Sequence, residues 1–364
     1  MYHLRGPEKD QRIDIVLFVD DVLACYPDTH MGRHTYKQFI TGVQSVFKLQ
    51  DDGMQDATAF CGMQLDWNAD RTSLSISCPK LVDQVIEQYC LSTRTKFTPA
   101  PCKDLVSTLE CPPAGPEGDE ERNFMRGKPF REAVGDLLWI SRLYRNDIAH
   151  AVAALSRVAH NPGRSHWIAL QHLLQYLRHT RNYKLIYMKT HTSNGDYVPS
   201  VESYSDSDWA PNYGTQYSNY RSTAGNITLV DGNPVHWRSR RQQRSALSSN
   251  KAEYYAAAEA AKDCIYISRI SQSLAPDKTK IKMPMLKLDS KTAVTCAQNP
   301  ADNENQRHID LRSHFLRECC ARRDFDIVHI PGSQNPADYL TKSLGETKFA
   351  PYRAQMRVLD PASR

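Results

Sequence analysis

The hydrophobic pattern divides the chain into three stretches. In the first, residues 13–22 form an apolar, β-prone run broken only by Asp14, Asp20 and Asp21. Residues 31–49 predict a helix. Residues 58–65 and 73–77 predict a hairpin around Asn68-Ala69-Asp70-Arg71. Residues 79–89 predict a helix with Leu81, Val82, Val85 and Ile86 on one side. Residues 111–121 are rich in Pro, Gly and acids, which predicts an exposed, mobile linker. In the second stretch, residues 130–185 predict about three short helices with basic surfaces. Val134, Leu137, Leu138 and Ile140 lie on the first; Ile148, Val152, Leu155 and Ala159 on the next; Trp167, Leu170, Leu174 and Leu177 on the last, after the breaker Asn161-Pro162-Gly163.

The third stretch, residues 198–345, changes period. Strands are predicted at 201–206, 222–230 and 235–240, the latter two joined at the turn signal Asp231-Gly232-Asn233-Pro234. An alanine-rich helix follows at 250–273, then a strand at 285–289, helices at 291–298 and 307–322, a strand at 326–330 and a closing helix at 335–344. Three hairpin-type strands followed by alternating units imply a mixed five-stranded sheet with flanking helices, an α/β (α+β) fold.

At 364 residues the chain has room for two or three domains, and its 40% hydrophobic and 24% charged content is ordinary globular material. No apolar run reaches a membrane-spanning length. The start Met1-Tyr2-His3-Leu4-Arg5-Gly6 lacks the apolar core of a signal peptide, so a cytoplasmic or nuclear, non-secreted protein with free thiols is expected. The ten cysteines include no Cys-x-x-Cys pair, and no Cys/His cluster has zinc-ligand spacing. The net charge of +5 leans toward polyanions. Arg238, Arg240, Arg241 and Arg244, together with Trp237, are candidates for contact with a nucleic-acid backbone, with Arg307, His308 and Arg312 as further candidates. A solvated face or a nuclear-localisation patch would explain the arginines equally well.

Four acids fall at the predicted edges of separate elements: Asp206 and Asp289 at strand ends, Glu253 and Asp338 in first helical turns. Each has a plain alternative. Glu253 could complete a capping box with Asn250, Asp338 could favour a helix start, and Asp206 could cap a turn with Asp208. Together, in this element order, they predict one carboxylate cluster able to hold divalent cations.

These residues also carry a resemblance. Tyr204-Ser205-Asp206-Ser207-Asp208-Trp209-Ala210, Arg221-Ser222-Thr223-Ala224-Gly225 and Trp237-Arg238-Ser239-Arg240-Arg241-Gln242 resemble three motifs, "SDADWAG", "RRSTTGY" and "WKSKKQ". Ala246-Leu247-Ser248-Ser249-Asn250-Lys251-Ala252-Glu253-Tyr254 resembles "ALSSTEAEY", residues 307–318 resemble "KHIDIRYHFIRE", and Asn335-Pro336-Ala337-Asp338-Tyr339-Leu340-Thr341-Lys342 resembles "QLADILTK". The set, in order, resembles the reverse transcriptase–ribonuclease H segment of Ty1/copia-type retrotransposon Pol polyproteins. The resemblance implies a residual reverse-transcriptase palm at 1–102, a linker at 103–129, a helical thumb or connection at 130–190, a ribonuclease H-like domain at 198–346 and a C-terminal tail at 347–364. It implies hydrolysis of RNA in RNA–DNA hybrids by Asp206, Glu253, Asp289 and Asp338 with two Mg²⁺ ions, Mn²⁺ being the alternative. Lys251 departs from the family, which has Glu there. Residues 331–334 replace the mobile His loop of some cellular ribonucleases H, leaving His329 as a strand residue.

The front half is similar to the family too. Leu17-Phe18-Val19-Asp20-Asp21-Val22-Leu23 resembles the polymerase "YVDD" hairpin, making Asp20 and Asp21 candidate metal acids. Cys61-Gly62-Met63-Gln64-Leu65 resembles "FLGIEI", and residues 145–152 resemble "RPDIAYAV". Polymerase chemistry needs a third Asp from an upstream strand. Asp14 cannot supply it from about 20 Å along the same strand. The chain alone is therefore expected not to polymerise DNA, and its expected partners are an RNA–DNA hybrid and the missing N-terminal part of the polyprotein. The alternative is a decayed or co-opted, non-enzymatic nucleic-acid-binding remnant.

Overall fold

The computed structural model describes residues 2–5, 11–47, 57–101, 111–190, 198–209, 221–275, 281–299 and 311–363. The first unit is an antiparallel sheet of β1 (Tyr2–Arg5), β2 (Arg12–Phe18) and β3 (Asp21–Cys25), followed by helix α1 (His30–Gln44). The run at 13–22 covers most of this β2–β3 hairpin. It turns at Val19, whose positive φ of 55° is costly for a β-branched residue. Arg12 anchors the hairpin far away in sequence, donating to the carbonyls of Ser273 and Ala275, each at 2.8 Å.

A second sheet has the order β13-β7-β6-β5-β4. Its strands are β4 (Ala59–Phe60), β5 (Met63–Trp67), β6 (Ser73–Ser77), β7 (Lys184–Met188) and β13 (Val358–Leu359). Helices α2 (Pro79–Tyr89), α3 (Asp119–Met125), α4 (Phe130–Leu143), α5 (Ala149–Arg157) and α6 (Arg164–His179) pack beside it. Three sequence expectations change here. The stretch read as a palm is split between two sheets. The linker contains α3, because Met125 finds a place in the core. The C-terminal tail is helix α10 (Glu346–Gln355) plus β13, with Phe349, Met356 and Val358 in the same core as the helices.

A buried node holds the helical unit together. Arg145 donates twice to Asp147, both bonds at 2.8 Å, and both side chains are 0% exposed. Tyr176 donates to Asp147 at 2.6 Å, and Arg145 reaches Thr180. Between them, Asn146 donates to the carbonyl of Met356 and accepts from Tyr339.

The third sheet has the order β10-β9-β8-β11-β12. Strands β8 (Val201–Asp208), β9 (Thr223–Val230) and β10 (Asn233–Arg241) are antiparallel neighbours; β11 (Met285–Leu288) and β12 (Asp326–His329) run parallel to β8. Asp231 (φ 51°) and Gly232 (φ 73°) form the tight turn between β9 and β10, as an Asp-Gly pair favours. Pro234 is tolerated because β10 is an edge strand and bulges there. Helices α7 (Ser249–Leu274), α8 (Lys291–Gln298) and α9 (Leu311–Ala321) share a core with this sheet. Small residues let α7 lie close: Ala257, Ala260 and Ala261 are 0% exposed, against a sheet carrying Ser203 and Thr228. Tyr204, Ile227 and Leu229 instead join the core of the helical unit. Strand β8 is therefore covered on both sides, and six of its eight residues are buried. The predicted closing helix is a 3₁₀ segment, Pro336–Leu340, with α10 a separate helix after it.

Candidate active site

Strand pairing puts two carboxylates at one edge of the third sheet. Ser205 of β8 pairs with Leu288 of β11, so the next residues, Asp206 and Asp289, lie side by side. The third acid arrives on α7. Its N-cap is Ser248, whose hydroxyl accepts from the Lys251 N–H at 3.3 Å. Glu253 then falls in the second turn, not the first, so the capping-box alternative does not apply. Asp206, Glu253 and Asp289 present ligand atoms that all lie within 4.8 Å of one another. Among the described residues this is the one such grouping of His, Cys, Asp and Glu. Asp338 stands beside it rather than within it, held by Lys342 at 2.6 Å.

The electrostatics are those of crowded acids. Burial, then Asp206 and Asp289, push the Glu253 carboxyl up to about 9. Burial also pushes Asp206 up to about 6, although Lys342 and a hydrogen bond from the Thr341 hydroxyl pull the other way. Asp289 is raised by burial against a hydrogen bond from Asn335, and Asp208 by burial. Lys342 answers this charge. Burial opposes its ammonium, yet Asp206 at 3.6 Å and Asp338 hold its pKa above the ordinary lysine value.

Sequence reasoning assigned no role to Lys342, Thr341 or Asn335. The i, i+4 spacing of Asp338 and Lys342 was an available signal for the first. Asn335 also donates to the carbonyl of Ser205 at 2.8 Å, tying the final segment to β8. His329 closes β12, with Nε2 3.2 Å from the carbonyl of Asp289.

Gly225 explains how that segment gets so close. It pairs with Asp206 across β8 and β9. A Cβ there would meet Thr341 Cγ2 at 2.7 Å and Leu340 Cβ at 2.8 Å. Gly225→Ala should push away the segment bearing Thr341 and Lys342 and cost about 1–3 kcal/mol by overpacking. Thermal denaturation checks this; an unchanged midpoint would mean the segment yields freely.

The basic candidates divide. Arg238 pairs with Asp263 at 3.1 Å. The Trp237 indole donates to the Ser141 carbonyl at 2.8 Å, so it joins two units. Arg240 and Arg244 are exposed, and Arg241 is half-buried. Arg312 lies on α9, and Arg307 and His308 fall outside the described residues. Asp20 and Asp21 are exposed at the tip of the first hairpin, where Asp21 accepts from the Cys61 N–H at 2.8 Å. Among the described residues no third acid joins them in a metal-binding group.

No protein-family model matches the chain. The retrovirus-related Pol polyprotein from transposon TNT 1-94 of Nicotiana tabacum is 30% identical over 338 residues, 93% of this chain and 24% of that protein. The counterpart from transposon RE2 of Arabidopsis thaliana is 26% identical over 347 residues, 95% of this chain and 22% of that one. The curated homologues over most of this chain are Ty1/copia-type Pol polyproteins. The chain spans about a quarter of the length of these curated relatives. It is also 35% identical over 144 residues to secreted RxLR effector protein 161 of Plasmopara viticola, covering 40% of this chain and 94% of that protein. Among solved structures it is similar to LC11-RNase H1 in complex with an RNA/DNA hybrid, with 19% identity and a TM-score of 0.28, covering 38% of this chain and 92% of that one.

Proposed function

We propose that residues 198–346 of this chain form a ribonuclease H-type unit that hydrolyses the RNA strand of RNA–DNA hybrids with divalent cations. The observation that carries the reading is the convergence of Asp206, Glu253 and Asp289 from β8, α7 and the end of β11. Similarity to Pol polyproteins over most of the chain and the motifs around these acids support it.

The donor set fits Mg²⁺. It offers carboxylate oxygens only, the ligands of a hard cation, and burial together with the neighbouring acids raises the Glu253 and Asp206 carboxyls. Asp206, Glu253 and Asp289 would hold the metal, with Asp338 next to them. Bound there, divalent cations supply charge stabilisation at a phosphodiester and a nucleophilic water at neutral pH. The chain's own residues do the positioning. Thr341 and Lys342 orient Asp206, Asn335 fixes the final segment on β8, and Lys342 keeps a positive charge facing the acids.

On the same reading, residues 1–102 and 130–190 derive from a reverse-transcriptase palm and thumb, with Asp20 and Asp21 as two of its metal acids. Among the described residues no third acid joins them, so no polymerisation is expected, and primer extension by this chain on an RNA template would overturn this part. The ribonuclease reading is tested by comparing cleavage of a labelled hybrid with duplex RNA, duplex DNA and single-stranded RNA. RNA cut only in the hybrid supports it, and cation-independent cutting of single strands refutes it. Salt-sensitive hybrid binding without cleavage would favour the non-enzymatic remnant.

The raised carboxyls also set a pH dependence. A carboxyl whose pKa rises on folding contributes stability below its unfolded value and loses it as pH climbs to the folded one. For Glu253 that window runs from the ordinary 4.5 to about 9. The melting temperature of the metal-free protein should fall across this range, and added Mg²⁺ should restore it most at the alkaline end. A flat profile would contradict the crowding.

A further inference from the structure

A cleft of about 840 Å³ runs between the helical unit and the edge strand β10, and it is lined by Arg142 and Arg157 on one wall and Arg238, Arg240 and Arg241 on the other. No Asp or Glu lines it. Among the described residues, Arg238 alone of these five has an acidic partner, Asp263. Arg157 reaches no further than the Thr223 hydroxyl, at 3.3 Å. Burial and the neighbouring Arg241 push its pKa down to about 10, and burial with Arg221 lowers that of Arg241. The Nε of Arg241 is buried without a hydrogen-bond partner. These guanidiniums face one another at a cost that an anion would remove. The walls are also fixed in place, because Trp237 of β10 donates across to Ser141 of α4.

Shape and position say which anion. The volume far exceeds one phosphate, and the cleft follows β10 lengthwise. Its Arg241 end pairs with Thr223, which pairs with Asp208. The end therefore lies two strand spacings, about 10 Å, from the strand that carries Asp206. We propose that this cleft is a phosphodiester channel, gripping the backbone of a hybrid strand as it leaves the carboxylate cluster, with Arg142 and Arg157 of the helical unit as its second wall. The proposal rests on the nucleic-acid reading of the carboxylate site, but the channel can be tested without any cleavage.

The test measures binding of a long RNA–DNA hybrid to the full chain without metal, over a range of salt concentrations. Replacing Arg142 and Arg157 by Ala should weaken binding by about tenfold. The slope of log affinity against log salt should fall by about one to two units, close to one for each phosphate that is no longer neutralised. If Arg157→Ala fails to fold, Arg142→Ala paired with Arg240→Ala, both at exposed positions, reads the same slope. An unchanged slope overturns the proposal. So does polyglutamate competing as well as the hybrid, which would assign the cleft to an acidic peptide. Absence of cleavage by the unsubstituted chain would sink the ribonuclease reading and leave the slope result standing.

Discussion

Glu253→Gln should reduce hybrid cleavage by about a thousandfold, while the metal-free protein becomes more stable at alkaline pH. The two effects share one cause. Glu253 is crowded by Asp206 and Asp289, and its carboxyl resists ionisation up to about 9. A neutral amide of the same shape relieves that repulsion, so folding gains. On the ribonuclease reading proposed above, the same change would remove a ligand from a site whose cations would contribute several kcal/mol to the transition state, and each 1.4 kcal/mol is a factor of ten in rate. Single-turnover kinetics and thermal melts on the same preparation check both halves. Loss of activity together with loss of alkaline stability would mean that Glu253 is a structural residue.

The second large effect lies far from the carboxylates. Asp147→Asn should destabilise the chain by about 3–5 kcal/mol, because it leaves the Arg145 guanidinium buried and uncompensated. Burial alone would raise the Asp147 carboxyl, but Arg145, beside it with two hydrogen bonds, holds it below the usual range. Its contribution is thus present above the ordinary carboxylate pKa and lost as pH falls through the depressed one. Urea denaturation reads the cost. Replacing the pair together, Arg145→Met with Asp147→Leu, should recover much of it, since hydrophobic substitutes avoid the desolvation of two charges. A shift under about 1 kcal/mol for Asp147→Asn would show that water reaches the node.

The node shows what the sequence could and could not reveal. Arg145-Asn146-Asp147 was recognisable as a motif, yet nothing local indicated that Asp147 meets Tyr176 or that Asn146 meets Met356 and Tyr339. Such partners depend on long-range packing. For the same reason the last residues read as a tail, although Val358 pairs with Leu185. The third sheet was easier. Its first three strands follow one another as antiparallel neighbours, helices precede each of the last two, its turn is an Asp-Gly pair, and parallel β8 and β11 carry their acids to a common edge. Asp338 was harder to place, because its segment is a 3₁₀ turn that Gly225 allows close to β8, and Lys342 holds its carboxylate aside. The arginine cleft was half visible. The β10 residues stood out as a cluster, whereas Arg142 and Arg157 join it only through the docking of two units.

The most direct test of the central claim is the chemistry of the cut ends. Incubated with Mg²⁺ and a hybrid labelled on both strands, the chain should leave the DNA intact and give RNA fragments with 3′-hydroxyl and 5′-phosphate ends, as attack by water with a leaving 3′ oxygen requires. Chelation, or Asp206→Asn, should abolish the products. RNA fragments with 2′,3′-cyclic phosphate ends that persist in chelator, or equal cutting by Asp206→Asn, would contradict the assignment of Asp206, Glu253 and Asp289 as a metal-dependent ribonuclease site.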